Sequence, residues 1–247
     1  MAKVTCRETL RKKPLIILFI ASLIFIGSAQ LFFLLKAGIP LKTMQAVWLK
    51  SLIGFSTLLA VYLGACLLFA EEGKNKLYSL LSLPVRRGEI VIGKFIGGAV
   101  ALLLLLLLMG IVFIAVTGLK QFSSLLIWQA VLLASWEMLL VFSLSLMLST
   151  LATPLLNISL SLFVSLAGNI SASLKFLGNQ IDNLVVSFLA KIFYYFVPHL
   201  HRFDITSNVI AGEEVTFSLI WKDLAYGFYY MALFLTIGII LFSRKEL

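Results

Sequence analysis

Charged residues are scarce in this sequence. Asp, Glu, Lys and Arg make up 13% of its 247 residues, whereas hydrophobic residues make up 61%. An ordinary soluble domain carries about 25% charged residues. The shortage of charge therefore excludes a soluble globular domain and predicts a membrane protein.

Cysteine and histidine are also rare, with two of each. Cys6 precedes the first apolar run and Cys66 lies inside the second, so no disulfide framework is expected. His199 and His201 stand almost side by side in "PHLHRFD". Two histidines alone make an incomplete metal site, so the sequence predicts no metal centre.

Long apolar runs are what the sequence has instead. Six are long enough to cross a bilayer core, which takes about 20 residues of helix. They lie at about 15–35, 51–70, 94–117, 128–150, 155–174 and 224–242. A shorter run at 184–197 has Lys191 in its middle, which favours a re-entrant or interfacial helix within an extracytoplasmic cap at about 175–222. We therefore predict an all-α integral membrane protein with six transmembrane helices, forming a single domain over residues 1–247.

The surplus of basic residues has a topological explanation. The sequence has 20 Lys and Arg against 11 Asp and Glu, a formal charge of +9. With both termini in the cytoplasm, twelve of the 20 basic residues lie on the cytoplasmic side near span ends, as the positive-inside rule requires. Charge therefore gives no reason to expect nucleic-acid binding. Lys3, Arg7 and Arg11 follow a four-residue spacing that favours an N-terminal helix lying on the inner leaflet, although simple anchoring explains them nearly as well.

Two short motifs resemble enzyme signatures without completing them. "GEIVIGKF" (88–95) nearly matches a phosphate-binding loop, but Phe95 stands where a hydroxyl must bind magnesium. "EEGKNK" (71–76) resembles the motif of glutamate-dependent membrane proteases, but Lys76 stands at the arginine position. We therefore predict that the chain is not an enzyme, and an intramembrane enzyme is the least favoured alternative.

Glu137 is the one acidic residue deep inside a predicted span. Charged groups are expensive there and mark candidate functional sites. Two interpretations remain open. The first is a protonated side chain hydrogen-bonded to a neighbouring helix, and the second, less favoured, is a role in transport.

The densest charge cluster lies between the second and third spans, in "EEGKNKLYSLLSLPVRRGEIVIGK" (71–94). Within it, Leu77, Leu80 and Leu81 have the spacing of one helix face, and Pro84 ends the pattern. The spacing predicts a short amphipathic helix at about 71–83. Such a helix either lies on the lipid surface or docks its apolar face in a groove of another protein, and composition does not choose between these.

A family resemblance favours docking. The stretch "AVYLGACLLFAEEGKNKLYSLLSLPVRRGEIVIGKFIG" (60–97) resembles the signature of ABC-2 type transporter permeases, and most closely the group linked to multi-copper enzyme maturation. "CRETLRKKPL" near the N-terminus and the last third of the chain are similar to the same family. His199, where the family usually has Asn, and the pair Glu72–Gly73 depart from its pattern.

The resemblance implies a permease with six spans that associates in pairs and is driven by two copies of a separate ATPase. A cytosolic coupling helix, here about 71–83, would sit in a cleft of that ATPase. The docking residues would be the leucine face and the charges around it: Glu71, Glu72, Leu77, Leu80, Leu81, Arg86 and Arg87. No cofactor is expected on this chain, while ATP and magnesium belong to the ATPase.

The function expected on this basis is the membrane subunit of an ABC exporter in the cell membrane of a prokaryote. The alternative is a subunit that passes ATPase motion to an extracytoplasmic partner protein without moving a substrate. Membrane lipid and a second permease, identical or related, are the other expected partners. No side-chain pattern indicates the substrate.

Overall fold

The structure, a computed structural model, describes residues 16–17, 19–21, 24, 41–69, 87–117, 124–180, 197–211 and 215–244. This part of the chain is 91% helical and contains no strand. The elements from residue 41 onward are α1 (Leu41–Phe69), α2 (Arg87–Thr117), α3 (Ser124–Leu148), α4 (Pro154–Gln180), a 3-10 helix (Leu200–Phe203), α5 (Thr206–Ala211) and α6 (Phe217–Arg244). Helices suit a bilayer because each satisfies its own backbone hydrogen bonds.

Five helices in the described residues are long and apolar enough to cross a membrane. The candidate spans are Leu49–Leu67, Gly88–Val112, Trp128–Leu148, Pro154–Ser171 and Phe217–Arg244. They overlap the predicted second to sixth spans. The last helix begins at Phe217 rather than near 224.

Several predicted elements lie outside the described residues. They are the N-terminal interfacial helix, most of the first span, the coupling helix at 71–83 and nearly all of the short helix at 184–197. The count of six spans therefore stays a prediction.

Helix α3 lies at the centre of the bundle. It contacts α1, α6, α4 and α2, and 61% of its candidate span is buried, against 22% for the span in α6. A helix with apolar residues on every side is typical of such a central position. Phe142, Leu133 and Met138 are among its fully buried side chains.

A polar joint links α1, α3 and α4 inside this apolar packing. A Cβ at Gly64 would lie 2.6 Å from Cβ of Ser145, so glycine is what lets α1 approach α3. At that contact, Oγ of Ser145 donates a hydrogen bond of 2.9 Å to the backbone oxygen of Val61. Nδ2 of Asn157 on α4 donates to the backbone oxygen of Ser145 at 2.9 Å, and Oγ of Ser161 donates to Oδ1 of Asn157 at 2.9 Å. Since these polar groups are buried, their mutual hydrogen bonds fix the relative positions of three spans.

A tight turn at 149–153 joins α3 to α4 and makes them antiparallel neighbours. The backbone N–H of Ala152 donates to the oxygen of Leu148 at 3.0 Å. Pro154 opens α4 at the first helical position, where a missing N–H costs nothing. The same end of the bundle therefore carries this turn and the connection between α1 and α2.

Candidate functional site

The predicted docking residues lie at the edge of what the structure describes. Six of them, from Glu71 to Arg86, fall in residues 70–86, which lie outside the described part. Arg87 is the first residue of α2. We call residues 70–86 the coupling segment, the end of the bundle where they join α1 to α2 the loop end, and the opposite end the far end. The predicted role of the docking residues stays a prediction, but the two helices that carry the segment are defined.

Lys94 ties those two helices together. Its Nζ on α2 donates a hydrogen bond of 3.0 Å to the backbone oxygen of Leu67 on α1, and the residue is only 4% exposed. The oxygen of Leu67 is one of the last four of α1, which lack partners within their own helix. A cation at a helix C-terminus also interacts favourably with the helix dipole. We call this contact the Lys94 clamp, and it joins the last turn of α1 to the first part of α2.

An aromatic stack fixes the same part of α2 to the bundle centre. The rings of Phe95 on α2 and Phe142 on α3 stack with centroids 5.5 Å apart and planes 16° apart. A Cβ at Gly98 would collide with the ring of Phe142, so glycine there permits the close approach. Residues 88–95, the near match to a phosphate loop, therefore form part of helix α2, with Lys94 and Phe95 on the side that packs on α1 and α3.

Glu137 is completely buried between α3 and α4. Its Oε1 accepts a hydrogen bond of 3.0 Å from Nδ2 of Asn169, which also donates to the oxygen of Ser165 at 3.2 Å. Its Oε2 has no hydrogen-bond partner within the described residues. The contact with Asn169 is the bond to a neighbouring helix that the structural interpretation expects, and a role in transport stays a prediction.

At the far end, residues 197–206, which we call the outer segment, pack across α4 and α6. A Cβ at Gly168 would lie 2.6 Å from the backbone oxygen of Pro198, so the segment approaches α4 closely. Nδ1 of His201 lies 2.8 Å from Oγ of Ser171 on α4. The backbone N–H of His199 donates to Oη of Tyr226 on α6 at 2.9 Å. The outer segment therefore links α4 to α6.

Two ion pairs connect the outer segment to α1 and α6. Nζ of Lys50 on α1 lies 3.5 Å from Oδ2 of Asp204, and Nη1 of Arg202 lies 4.0 Å from Oδ1 of Asp223. Burial lowers the pKa of His201 below its usual value near 6.5, and the neighbouring Arg202 adds to this effect. Among the described residues, no group of three His, Cys, Asp or Glu side chains is placed to hold a metal ion.

Two further contacts tie α3 to the chain around the start of α6. Nε1 of Trp136 donates to the backbone oxygen of Leu224 at 2.9 Å. The side-chain amide of Gln129 exchanges two hydrogen bonds with the backbone of Val215, of 3.0 and 3.3 Å. Together with the outer segment, these contacts make the far end a dense polar network.

A bundle of apolar spans with a charged segment between two clamped helices suits a transport subunit. A family model described as ABC-2 family transporter protein matches residues 26–247. The chain belongs to the ABC-2 transporter family. A search of curated proteins found no match.

Membership of the ABC-2 family gives the coarse function. The protein is a multi-pass membrane protein and a permease, that is, a transport subunit, of an ABC transporter. The family also implies an ATPase as partner. The match is to the family as a whole and does not test the narrower resemblance to the multi-copper enzyme maturation group.

The sequence did not predict several contacts that position the helices of this ABC-2 permease. Lys94 was part of the family signature, but its contact with Leu67 joins residues 27 positions apart. Gln129 and Trp136 bond to backbone oxygens 86 and 88 positions away. A polar residue within an apolar run was the one available signal, and it does not identify the partner.

Proposed function

We propose that this chain is the permease subunit of an ABC exporter, driven by a separate ATPase that docks on the coupling segment. The observation that carries the proposal is the Lys94 clamp, considered together with the family membership. Nζ of Lys94 and the oxygen of Leu67, 3.0 Å apart, hold the two helices from which the segment emerges. A force on the segment would then act on α1 and α2 together.

The docking face is proposed from the sequence pattern. Leu77, Leu80 and Leu81 would fill a groove of the ATPase, and Glu71, Glu72, Arg86 and Arg87 would pair with charges at its rim. ATP and magnesium would bind the ATPase and not this chain.

The assembly would contain two ATPase subunits and two permeases in the cell membrane of a prokaryote, with both termini of each permease in the cytoplasm. The positive-inside pattern supports that orientation. The narrower assignment to the multi-copper enzyme maturation group is proposed from the 60–97 motif alone.

Movement of the ATPase would be transmitted to the far end of the bundle through α3. Helices α1 and α6 both pack on α3, and α2 meets it through the Phe95–Phe142 stack. Interiors packed at high density transmit displacement rather than absorb it. Tilting α1 and α2 together would therefore move α3, and with it the groups that α3 holds at the far end.

Replacing Leu80 and Leu81 by Asp tests the docking proposal. Burying one leucine side chain contributes roughly 1.5–3 kcal/mol, and the change also brings charge into an apolar groove. We expect the double variant to insert in the membrane and to lose the ATPase during co-purification.

Leu151→Asp is the control for this experiment. Leu151 is 63% exposed in the turn between α3 and α4, at the same end of the bundle but outside the coupling segment. This variant should retain the ATPase at wild-type yield. If the Leu80 and Leu81 double variant also retains it, the coupling segment is not the docking site and the lipid-surface interpretation of the segment replaces it.

A further inference from the structure

A cavity opens on the side of the bundle toward the far end, between α2, α3 and α6. Its volume is about 650 Å³, within the range of roughly 300–1,000 Å³ that small-molecule sites occupy. Leu106, 2% exposed, lies among the lining residues at the inner side, whereas Leu107, Trp128 and Phe217 are 46%, 68% and 65% exposed. The cavity is therefore a groove with an open mouth rather than an enclosed void.

The groove is lined mainly by apolar side chains. Apart from Trp128 with its indole N–H, two lining residues, Gln129 and Ser135, carry polar side chains, and both are engaged within the protein. Gln129 bonds to the backbone of Val215, and Oγ of Ser135 donates to the oxygen of Leu132 at 2.6 Å. An apolar cavity offers water too few partners and takes apolar guests instead.

The mouth of the groove is continuous with the surface that faces lipid. Leu104, Leu107, Leu108 and Ile111 on α2 are between 46% and 61% exposed, inside a candidate span. Exposed apolar residues on a membrane span contact acyl chains, and Leu107 belongs both to that surface and to the groove. Hydrocarbon from the bilayer can therefore enter sideways.

Trp128 gives the groove a polar edge. Its side chain is 68% exposed, and the residue lies near the start of α3. Tryptophan at a membrane interface places its ring among acyl chains and its N–H toward the head groups. An amphipathic guest would thus have its polar end at Trp128 and its tail toward Leu106.

We propose that this groove binds one acyl chain of a membrane phospholipid, with the ester region of the lipid accepting a hydrogen bond from Trp128. The site is distinct from the coupling segment, and the proposal does not depend on ATPase docking. It concerns the permease alone.

The test uses the permease alone in bilayer discs made of phosphatidylcholine. A small share of the lipid carries a photoreactive group at the end of one acyl chain. After illumination, mass spectrometry maps the labelled peptides. We expect labelling to concentrate on the groove-lining parts of α2 and α3, compared with the equally apolar and exposed face of α4 around Leu155 and Phe163.

Two tryptophan substitutions on α2 form a matched pair. Leu107→Trp fills the groove, whereas Leu108→Trp places the same side chain on the next residue, which is 50% exposed but does not line the groove. We expect Leu107→Trp to lower groove labelling about tenfold, because excluding two methylene groups forfeits about that much binding. Leu108→Trp should leave labelling unchanged.

Either of two results would overturn the proposal. Uniform labelling of all lipid-facing helices, unaffected by Leu107→Trp, would mean that the groove holds no lipid of its own. Cross-links from groove peptides to a second copy of the chain, in place of lipid, would mean that the groove is a contact between permeases. Loss of the ATPase in the Leu80 and Leu81 double variant has no bearing on either result, so the two proposals fail separately.

Discussion

The loop end and the far end of the bundle are held by different chemistry. At the loop end, α1 and α2 are joined by the buried Nζ of Lys94, which donates to the backbone oxygen of Leu67, beside the close packing of Gly98 on Leu63 and Leu67. At the far end, α1, α3, α4 and α6 meet the outer segment and each other through several hydrogen bonds and ion pairs. Their side chains are mostly partly exposed, such as Lys50 at 64%.

The difference indicates how each end responds to force. A buried polar contact is costly to break because its groups find no water, whereas exposed pairs contribute about 0–1 kcal/mol each. Within the described residues, the polar contact between α1 and α2 at the loop end is therefore a buried one, while the far end is held by several partly exposed contacts. We expect a force on the coupling segment to move α1 and α2 together, because the buried contact that joins them is costly to break, and to reach the far end through α3.

Replacing Lys94 by Met should produce the largest effect. Met fills much of the same space but cannot donate, so the clamp is lost, at about 1.5–3 kcal/mol for a charged donor. Spin labels at Leu58 on α1 and Ile92 on α2, both exposed, would report the separation of the helices. We expect ATP to leave that separation unchanged in the wild-type complex and to widen it in Lys94→Met.

Lys94→Arg is the matched control for the clamp. It retains a buried cation that can donate to Leu67, so it should keep most of the wild-type behaviour. A Lys94→Met complex whose label separation stays constant under ATP would show that α1 and α2 move together without the clamp.

The helices of this protein were largely predictable from its sequence, because apolar runs of about 20 residues have few alternatives in a bilayer. The residue at which α6 begins was not predicted correctly. Lys222 and Asp223 made the first turns look like part of the cap, whereas in the structure the helix begins at Phe217, and Trp136 bonds to its Leu224 oxygen.

The contacts of the candidate site were less predictable than its residues. Glu137 was selected as a lone acid in a span, and a bond to another helix was expected, but nothing identified Asn169 as the partner. Lys94 was counted among the cytoplasmic charges of the signature, yet it is buried on Leu67. Such pairings depend on the rotation and depth of each helix, which periodicity in α3 does not reveal because its apolar residues lie on all sides.

Replacing Trp136 by Phe should have an intermediate effect at the far end. The ring is retained, but the hydrogen bond to the oxygen of Leu224 is lost, at about 0.5–1.5 kcal/mol. Trp221→Phe is the control, since Trp221 is 69% exposed on α6. Thermal unfolding of the purified permease would measure both. Equal unfolding temperatures for the two variants would mean that the Trp136 bond adds nothing to the hold of α3 on α6.

The smallest effect expected is the pH dependence contributed by His201. Burial and Arg202 lower the pKa of His201 below its usual value near 6.5, so the folded protein binds this proton less readily than the unfolded chain does. As pH falls below about 6.5, the unfolded state takes up the proton first, and the free energy of unfolding decreases. Asp204, Asp223 and the backbone of Gly168 oppose the shift, and His201 is partly exposed, which keeps the effect small. The unfolding temperature should therefore fall more steeply between pH 7 and pH 5 in the wild type than in His201→Gln. The glutamine cannot titrate in this range but can still form a hydrogen bond with Ser171. Parallel curves for the two proteins would show that His201 does not contribute to the pH dependence of the unfolding temperature.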